Sequence, residues 1–365
     1  QNLFVSRQCI CLWYSSHLYL WDFILYLEGD FMNSQSVFVQ HVYLDAVGII
    51  VGKLEKEGPL RRYFKNYIED SYFGESTFEL AQKKLSYQAI QIALRQSKYE
   101  SEDIEIAIGG DLSNQIHAST SSVEKYSFPY IGVYAACASF VLSMILGSIY
   151  IDKQITVNAL CFTSSHLGVS EKQFRYPNEY GIQKCDTNTT TLTGGVALIL
   201  TKNRNKIKIN SFTVGKVVDV LSKNVNDMGT CMAYAALDTF KTHLTNLNKN
   251  LDEYDQIITG DLSLYGSKIF IEEAKKMGYF LEQKHSDCGS LIYDIATQDV
   301  NAGGSGPTCC PVVTFSYFLD KMLKGEMKRI LVIATGALHS QISYQQKQSI
   351  PCIAHAIELE VNYAY

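Results

Sequence analysis

Cys137 stands where Y-I-G-V-Y-A-A-C-A-S-F passes from a short apolar strand into a helix of small and apolar residues. A thiol at a helix N-terminus faces unpaired backbone N–H groups, which favour the thiolate and lower its pKa. That position predicts a pocket nucleophile or ligand contact, against the alternative of a packing cysteine. Two aspartates sit in matching surroundings: residues 108–113 read I-G-G-D-L-S around Asp111, and residues 258–263 read I-T-G-D-L-S around Asp261. The turn Gly303, Gly304, Ser305, Gly306 offers backbone N–H groups to an anion. A long polar insertion, residues 168–193, carries Arg175 and Lys184. Loops of that kind at strand ends serve as lids or binding segments. Arg175 suits a bidentate carboxylate pair or a salt bridge to a neighbouring glutamate. His166 closes the run T-S-S-H. His285 and Cys288 have a spacing that invites zinc, but no second ligand pair accompanies them. A hydrogen-bonded histidine beside a strand end is the better expectation there, and no metal site is assigned. Asp219 and Asp287 read as acceptors of backbone hydrogen bonds in turns.

The elements that must position these groups come in two matching sets. A helical stretch over 78–96, an acidic turn (Glu102, Asp103) and a short apolar run precede the first G-D-L-S; a helical stretch over 232–247, Asp252, Glu253 and another apolar run precede the second. Strands over 158–165 and 330–337 then enter turns of small residues, and each half closes with an apolar strand, 196–200 and 353–361. Alternating strands and helices of this length predict an α/β protein with parallel sheets and crossover helices, duplicated as halves 32–203 and 204–365. Ligands in such sheets sit beyond the carboxyl ends of strands, where both G-D-L-S turns lie.

Composition bounds the function. Of 365 residues, 47% are hydrophobic and 19% charged, which suits a packed protein, and a net charge of −5 gives no basic field for a nucleic acid. The ten cysteines are scattered without a C-x-x-C pair, so they are expected reduced and mostly buried, in a reducing compartment. Residues 1–31 differ from the rest: both tryptophans fall there, and the first methionine is Met32. That segment lacks the pattern of a signal peptide or a membrane span, and it is expected to be a non-native or disordered extension preceding a start at Met32.

The run A-A-C-A-S-F resembles the nucleophile turn of ketoacyl synthases and thiolases, whose fold is also a duplicated α/β unit. Longer blocks resemble the stage V sporulation protein AD family: E-K-E-G-P-L (55–60), T-S-S-H (163–166), E-K-Q-F-R-Y-P-N-E-Y-G (171–181), D-M-G (227–229), T-G-D-L-S, D-C-G-S-L-I-Y (287–293), A-G-G-S-G (302–306), A-T-G-A-L (334–338) and I-P-C-I-A-H (350–355). The resemblance implies a thiolase-like fold, layered α/β/α/β/α. Condensing enzymes of that fold use a histidine and a second polar side chain beside the cysteine. By resemblance, Asp261 takes the place of the histidine and Gly304 that of an asparagine, which argues against condensation chemistry and leaves Cys137 as a vestigial nucleophile position. The family further implies a subunit that binds dipicolinic acid (pyridine-2,6-dicarboxylate), with or without calcium, and needs no cofactor. Its expected partners are the membrane-channel subunits of the SpoVA complex, on the cytoplasmic or forespore side of the inner spore membrane. A homodimer is left open. The expected ligand contacts are Cys137, Asp261, Gly304, Ser305, His166, Arg175 and Lys184. The competing expectation is a working acyltransferase or condensing enzyme using Cys137.

Overall fold

The internal repeat governs the sheet. The computed structural model describes residues 35–174 and 184–363, so the expectation for residues 1–31 and the placement of Arg175 lie outside the described residues. The first half contributes β1 (Ser36–Phe38), β2 (Tyr43–Val51), β3 (Ala107–Gly109), β4 (Tyr130–Gly132), β5 (Asn158–Ser165), β6 (Thr190–Thr191) and β7 (Gly194–Thr201). The second contributes β8 (Ile207–Val214), β9 (Gln256–Thr259), β10 (His285–Asp287), β11 (Gly304–Ser305), β12 (Arg329–Ala337) and β13 (Cys352–Val361). The main sheet has the order β10-β9-β12-β13-β8-β2-β7-β5-β3-β4, with β1 added along β8. Exchanging first-half strands for their second-half equivalents turns that order into itself. Between β2 and β8 the two half-sheets meet at one residue pair, Tyr43 with Lys208, and β1 adds a second, antiparallel seam along β8 from Ser36 to Phe38.

Each half-sheet is mixed, which corrects the expectation of parallel sheets. β4, β3 and β5 run parallel, as do β10, β9 and β12, but β7 and β13 run against both of their neighbours. A parallel pair needs a connection that carries the chain back to the starting end. The connections after β5 and β12 instead stay at one end, so Ser165 pairs with Gly194 and Ala337 with Cys352.

The helices of eight or more residues are α1 (Phe78–Gln96), α2 (Ser139–Asp152), α3 (Leu167–Phe174), α4 (Met228–Asn246) and α5 (Ser263–Lys276) among the described residues, with shorter ones between them. Thr77 caps α1 by accepting from Leu80 N at 3.2 Å, and Ala81, Leu85, Ala89 and Ala93 form its buried stripe against β2 and β7. α4 and α5 pack on each other, and α4 also packs on β12 and β13, where Phe240, Leu244 and Phe270 bury one outer core. α2 is different. Phe140, Val141, Met144, Ile145 and Ile151 bury it nearly all round, and it touches strands of both half-sheets. A helix without a polar face belongs in the interior, so α2 forms the central layer of an α/β/α/β/α stack, as expected. The acidic turns also match: Ser101–Asp103 and Leu251–Glu253 are short 3-10 turns, each closed by a reciprocal capping box. No helix among the described residues is long and apolar enough to cross a membrane.

Candidate functional site

Cys137 lies in the turn between β4 and α2. The turn is knotted by Ser139, whose Oγ accepts from Ala135 N at 2.9 Å and donates to Ala136 O at 2.7 Å. Ala136 is held at a φ of 49°, a left-handed conformation that a non-glycine residue keeps only when its surroundings over-determine it. The chain thereby presents the neighbouring sulfur to the cleft.

Asp261 approaches from the end of β9. It is 1% exposed. Its Oδ1 accepts from Thr335 Oγ1 at 2.6 Å, its Oδ2 from Gly306 N at 3.2 Å, and it is hydrogen-bonded to the Cys137 thiol. The duplicated partner, Asp111, does something else: it accepts from Ser113 N at 2.8 Å and Ser119 N at 2.7 Å, closing its own turn. In the second half that task falls to Asp287, which accepts from Leu262 N at 2.9 Å, Ser263 N at 2.8 Å and Ser290 N at 3.0 Å. Asp287 satisfies the turn's donors and leaves Asp261 to face the sulfur.

Electrostatics corrects the expectation of an activated thiol. Burial, and then the charge and hydrogen bond of Asp261, push the Cys137 thiol well above the ordinary cysteine range, and the N–H groups of Gly306 and Cys137 itself only partly oppose this. Helix position favours a thiolate, but a buried carboxylate in contact overrides it. Burial likewise raises the Asp261 carboxyl to about 7, against the pull of Thr335 and Cys137. The sulfur therefore stays protonated near neutrality, and its S–H is donated to Asp261 in the ionised form that prevails above about pH 7.

The inner chamber beside this pair has a volume of about 80 Å³, with Thr189, Thr191, Ser305 and Gly306 also in its wall. It opens into a wider groove of about 1090 Å³, with which it shares Leu112, Tyr134, Phe174 and His339. A cavity of ~150 Å³ accommodates one benzene. The inner chamber is smaller than that, whereas the groove at its mouth, beside Tyr134, Phe174 and His339, is larger. Burial lowers the His339 imidazole below its ordinary value, and its ring centroid is 6.1 Å from those of Phe174 and Tyr344. The ionisable side chains of the inner wall are Cys137, Glu171, Asp261, His339 and Tyr134, so the wall holds no lysine or arginine among the described residues.

The expected contacts divide. Cys137, Asp261 and Ser305 come together in the chamber. Gly304 neighbours it but faces elsewhere, since a Cβ there would stand 2.5 Å from Ile292 Cγ2; a side chain at that position would point away from the cleft. Lys184 stands behind the wall, its Nζ 3.2 Å from Glu171 Oε1. His166 is not in this chamber. Ser165 Oγ turns inward and donates to Leu192 O at 2.5 Å, so alternation along the strand sends His166 the other way, where Nε2 bonds Ser71 O at 2.8 Å and the ring stacks on Phe78 at 4.9 Å. His285 shares a 2.8 Å hydrogen bond with Thr259 Oγ1, and Asp219 accepts from Leu221 N at 2.8 Å, both as expected of turn and strand-end residues. Sequence reasoning missed His339, Phe174 and the alternating pair Thr189 and Thr191. The pair had a visible signal, a hydroxyl-rich run leading into β7; His339 had one in lying just past β12, at a strand's carboxyl end.

Comparison with known proteins agrees with this architecture. The family model for stage V sporulation protein AD (SpoVAD) matches residues 33–360. Stage V sporulation protein AD of Bacillus subtilis (strain 168) is 39% identical over 324 residues, covering 89% of this chain and 96% of that protein. Among solved structures, Xanthomonas campestris OleA in a histidine-to-asparagine variant has a TM-score of 0.57 at 16% identity over 88% of this chain and 99% of that one. A histidine-to-aspartate variant of the same protein has a TM-score of 0.58 at 16% identity, over 89% and 99%. These structures share the thiolase-like fold. With a family match over nearly its whole described length and that level of identity to a curated relative, the chain belongs to the stage V sporulation protein AD family.

Proposed function

We propose that this sporulation protein binds dipicolinic acid in the cleft at Cys137, as a non-catalytic subunit supporting uptake of the calcium chelate into the developing spore. One observation carries the non-catalytic part: the buried side chain of Asp261 occupies the contact with the Cys137 sulfur, and its charge disfavours the thiolate. Thiolate attack on a thioester needs the opposite charge arrangement, and above about pH 7 the ionised Asp261 would also repel a developing oxyanion.

The lining supports the ligand class. Hydroxyls of Thr189, Thr191 and Ser305 and the Gly306 turn can meet carboxylate oxygens, and Tyr134, Phe174 and His339 can flank a flat ring at the mouth. Asp261 and Glu171 make the wall acidic, so a bare dianion is disfavoured relative to a calcium chelate whose charge is already neutralised. Association with the inner spore membrane through other SpoVA subunits belongs to the same proposal.

Calorimetric titration with dipicolinate, with and without calcium, tests this reading. The expected result is saturable binding, tighter with calcium, and weakened by Phe174→Ala at the mouth. Incubation with an acyl-coenzyme A that adds an acyl mass to Cys137, with release of free coenzyme A, would overturn it in favour of acyl transfer.

A further inference from the structure

A second cavity, of about 440 Å³, is lined by Gly52, Glu55, Glu57, Glu69, Phe78 and His166, together with the first residues of α3. Glu55 is 1% exposed. Its Oε1 is fully used, accepting from Thr193 N at 3.0 Å and from the Tyr293 hydroxyl. Oε2 is buried and has no hydrogen-bond partner. A bracing role for Glu55 explains the first oxygen and leaves the second unexplained, and an unpaired buried acceptor is costly. Gly52 approaches it closely and lines the same cavity; a Cβ there would fall 2.5 Å from Oε2, so a larger residue would cover the oxygen.

The chemistry of the wall selects the occupant. Three glutamates face one lysine, Lys53, which lies 3.9 Å from Glu57. His166 adds no charge to spare, because Nε2 bonds Ser71 O at 2.8 Å and Nδ1 accepts from Gly168 N at 3.0 Å. The missing partner is thus a cationic N–H donor. A bare metal ion fits poorly, since the glutamates do not converge into a metal-holding group.

We propose that this cavity binds an alkylammonium group, whose N–H donates to Glu55 Oε2 while its carbon chain lies along the edge of Phe78. A small free amine and a lysine side chain both carry this group, and the two sources share this chemistry.

The test uses the full chain and four probes: n-butylammonium chloride, Nα-acetyl-lysine amide, sodium butyrate and sodium chloride. The expected result is a saturable rise in Tm with butylammonium that equal sodium chloride does not reproduce. Glu55→Gln, which keeps the Oε1 contacts, should weaken that binding about tenfold or more while the unliganded protein stays folded. Tighter binding of the lysine amide would assign the site to a protein side chain, and tighter binding of butylammonium to a free amine; either supports the proposal. Equal responses of parent and Glu55→Gln, or binding of butyrate in place of the amines, would overturn it. If Glu55→Gln fails to fold, Glu69→Gln at the exposed rim supplies the reading, with an expected loss of about two- to threefold and no loss overturning the cationic assignment. Dipicolinate enters none of these measurements, so failure here leaves the proposed cargo site untouched.

Discussion

Asp261 holds its proton up to about pH 7 because burial outweighs the Thr335 hydroxyl and the Cys137 thiol. A folded pKa above the ordinary aspartate value means that the folded state binds this proton more tightly than the unfolded chain. The resulting stabilisation is complete below about pH 4 and is lost as pH rises through 7. Asp261→Asn cannot ionise, and its amide can face the Thr335 hydroxyl while its oxygen keeps the Gly306 N–H. Its Tm relative to the parent should be level below pH 4 and climb from pH 5 to 8, reaching a gain of up to roughly 4 kcal/mol in denaturant titrations. The same substitution removes the charge that holds the thiol protonated. Iodoacetamide at pH 7 should modify exposed Cys185 in the parent and leave Cys137 untouched, whereas Asp261→Asn should speed alkylation at Cys137, read by peptide mass. The shared G-D-L-S text made Asp111 and Asp261 look like equals. Their roles part only because Asp287, in a different strand, takes over the turn's N–H groups, and a contact between residues 24 and 25 positions apart leaves no local mark in the sequence.

Among the elements, the turn before α2 is the one on which the cleft depends. Ser139 is fully buried and its hydroxyl makes two hydrogen bonds across that turn. Ser139→Ala leaves Ala135 N and Ala136 O without those partners and should cost about 1–3 kcal/mol in chemical denaturation, with a larger proportional loss of dipicolinate affinity than of stability. The helix over 78–96 was legible from its period and the strand over 158–165 from its apolar run ending in small residues; they are α1 and β5, residue for residue. Strand direction was not, because β7 and β13 have the same apolar composition as their parallel neighbours, and direction follows from which end of the sheet the connecting segment leaves and re-enters. The side of β5 on which His166 falls was hidden for a related reason. Its strand is buried on both faces, so hydropathy gives no alternation from which to read facing.

Across the whole molecule, Glu358 links elements far apart in sequence. Burial would raise its carboxyl, but hydrogen bonds from the His243 and Ser211 side chains and the charge of Lys249 outweigh it and bring it down to about 2. Ser211 Oγ donates at 2.6 Å, Asn210 Nδ2 at 2.9 Å and Tyr254 OH at 3.3 Å, and Arg329 Nε stands 3.1 Å away. A depressed folded pKa gives stability that is present above the ordinary glutamate value and lost as pH falls through about 4 toward 2. Glu358→Gln should therefore cost about 3 kcal/mol at pH 7, by leaving buried donors and cations poorly matched, and the cost should shrink below pH 4 in acid titrations of Tm. The symmetric order of the half-sheets was the most legible feature of the whole, since it follows from a repeat written in the sequence; the narrow β2–β8 contact at Tyr43 and Lys208 was not, because a single pair has no pattern.

α3 supplies Ser170, Glu171 and Phe174 to the cleft at Cys137, and Leu167 and Gly168 to the cavity at Glu55. One short helix is thus a common wall for two chambers, so an occupant that displaced it in one would alter the other. Thermodynamic linkage then demands symmetry: the factor by which butylammonium alters the affinity for calcium dipicolinate must equal the factor by which calcium dipicolinate alters the affinity for butylammonium.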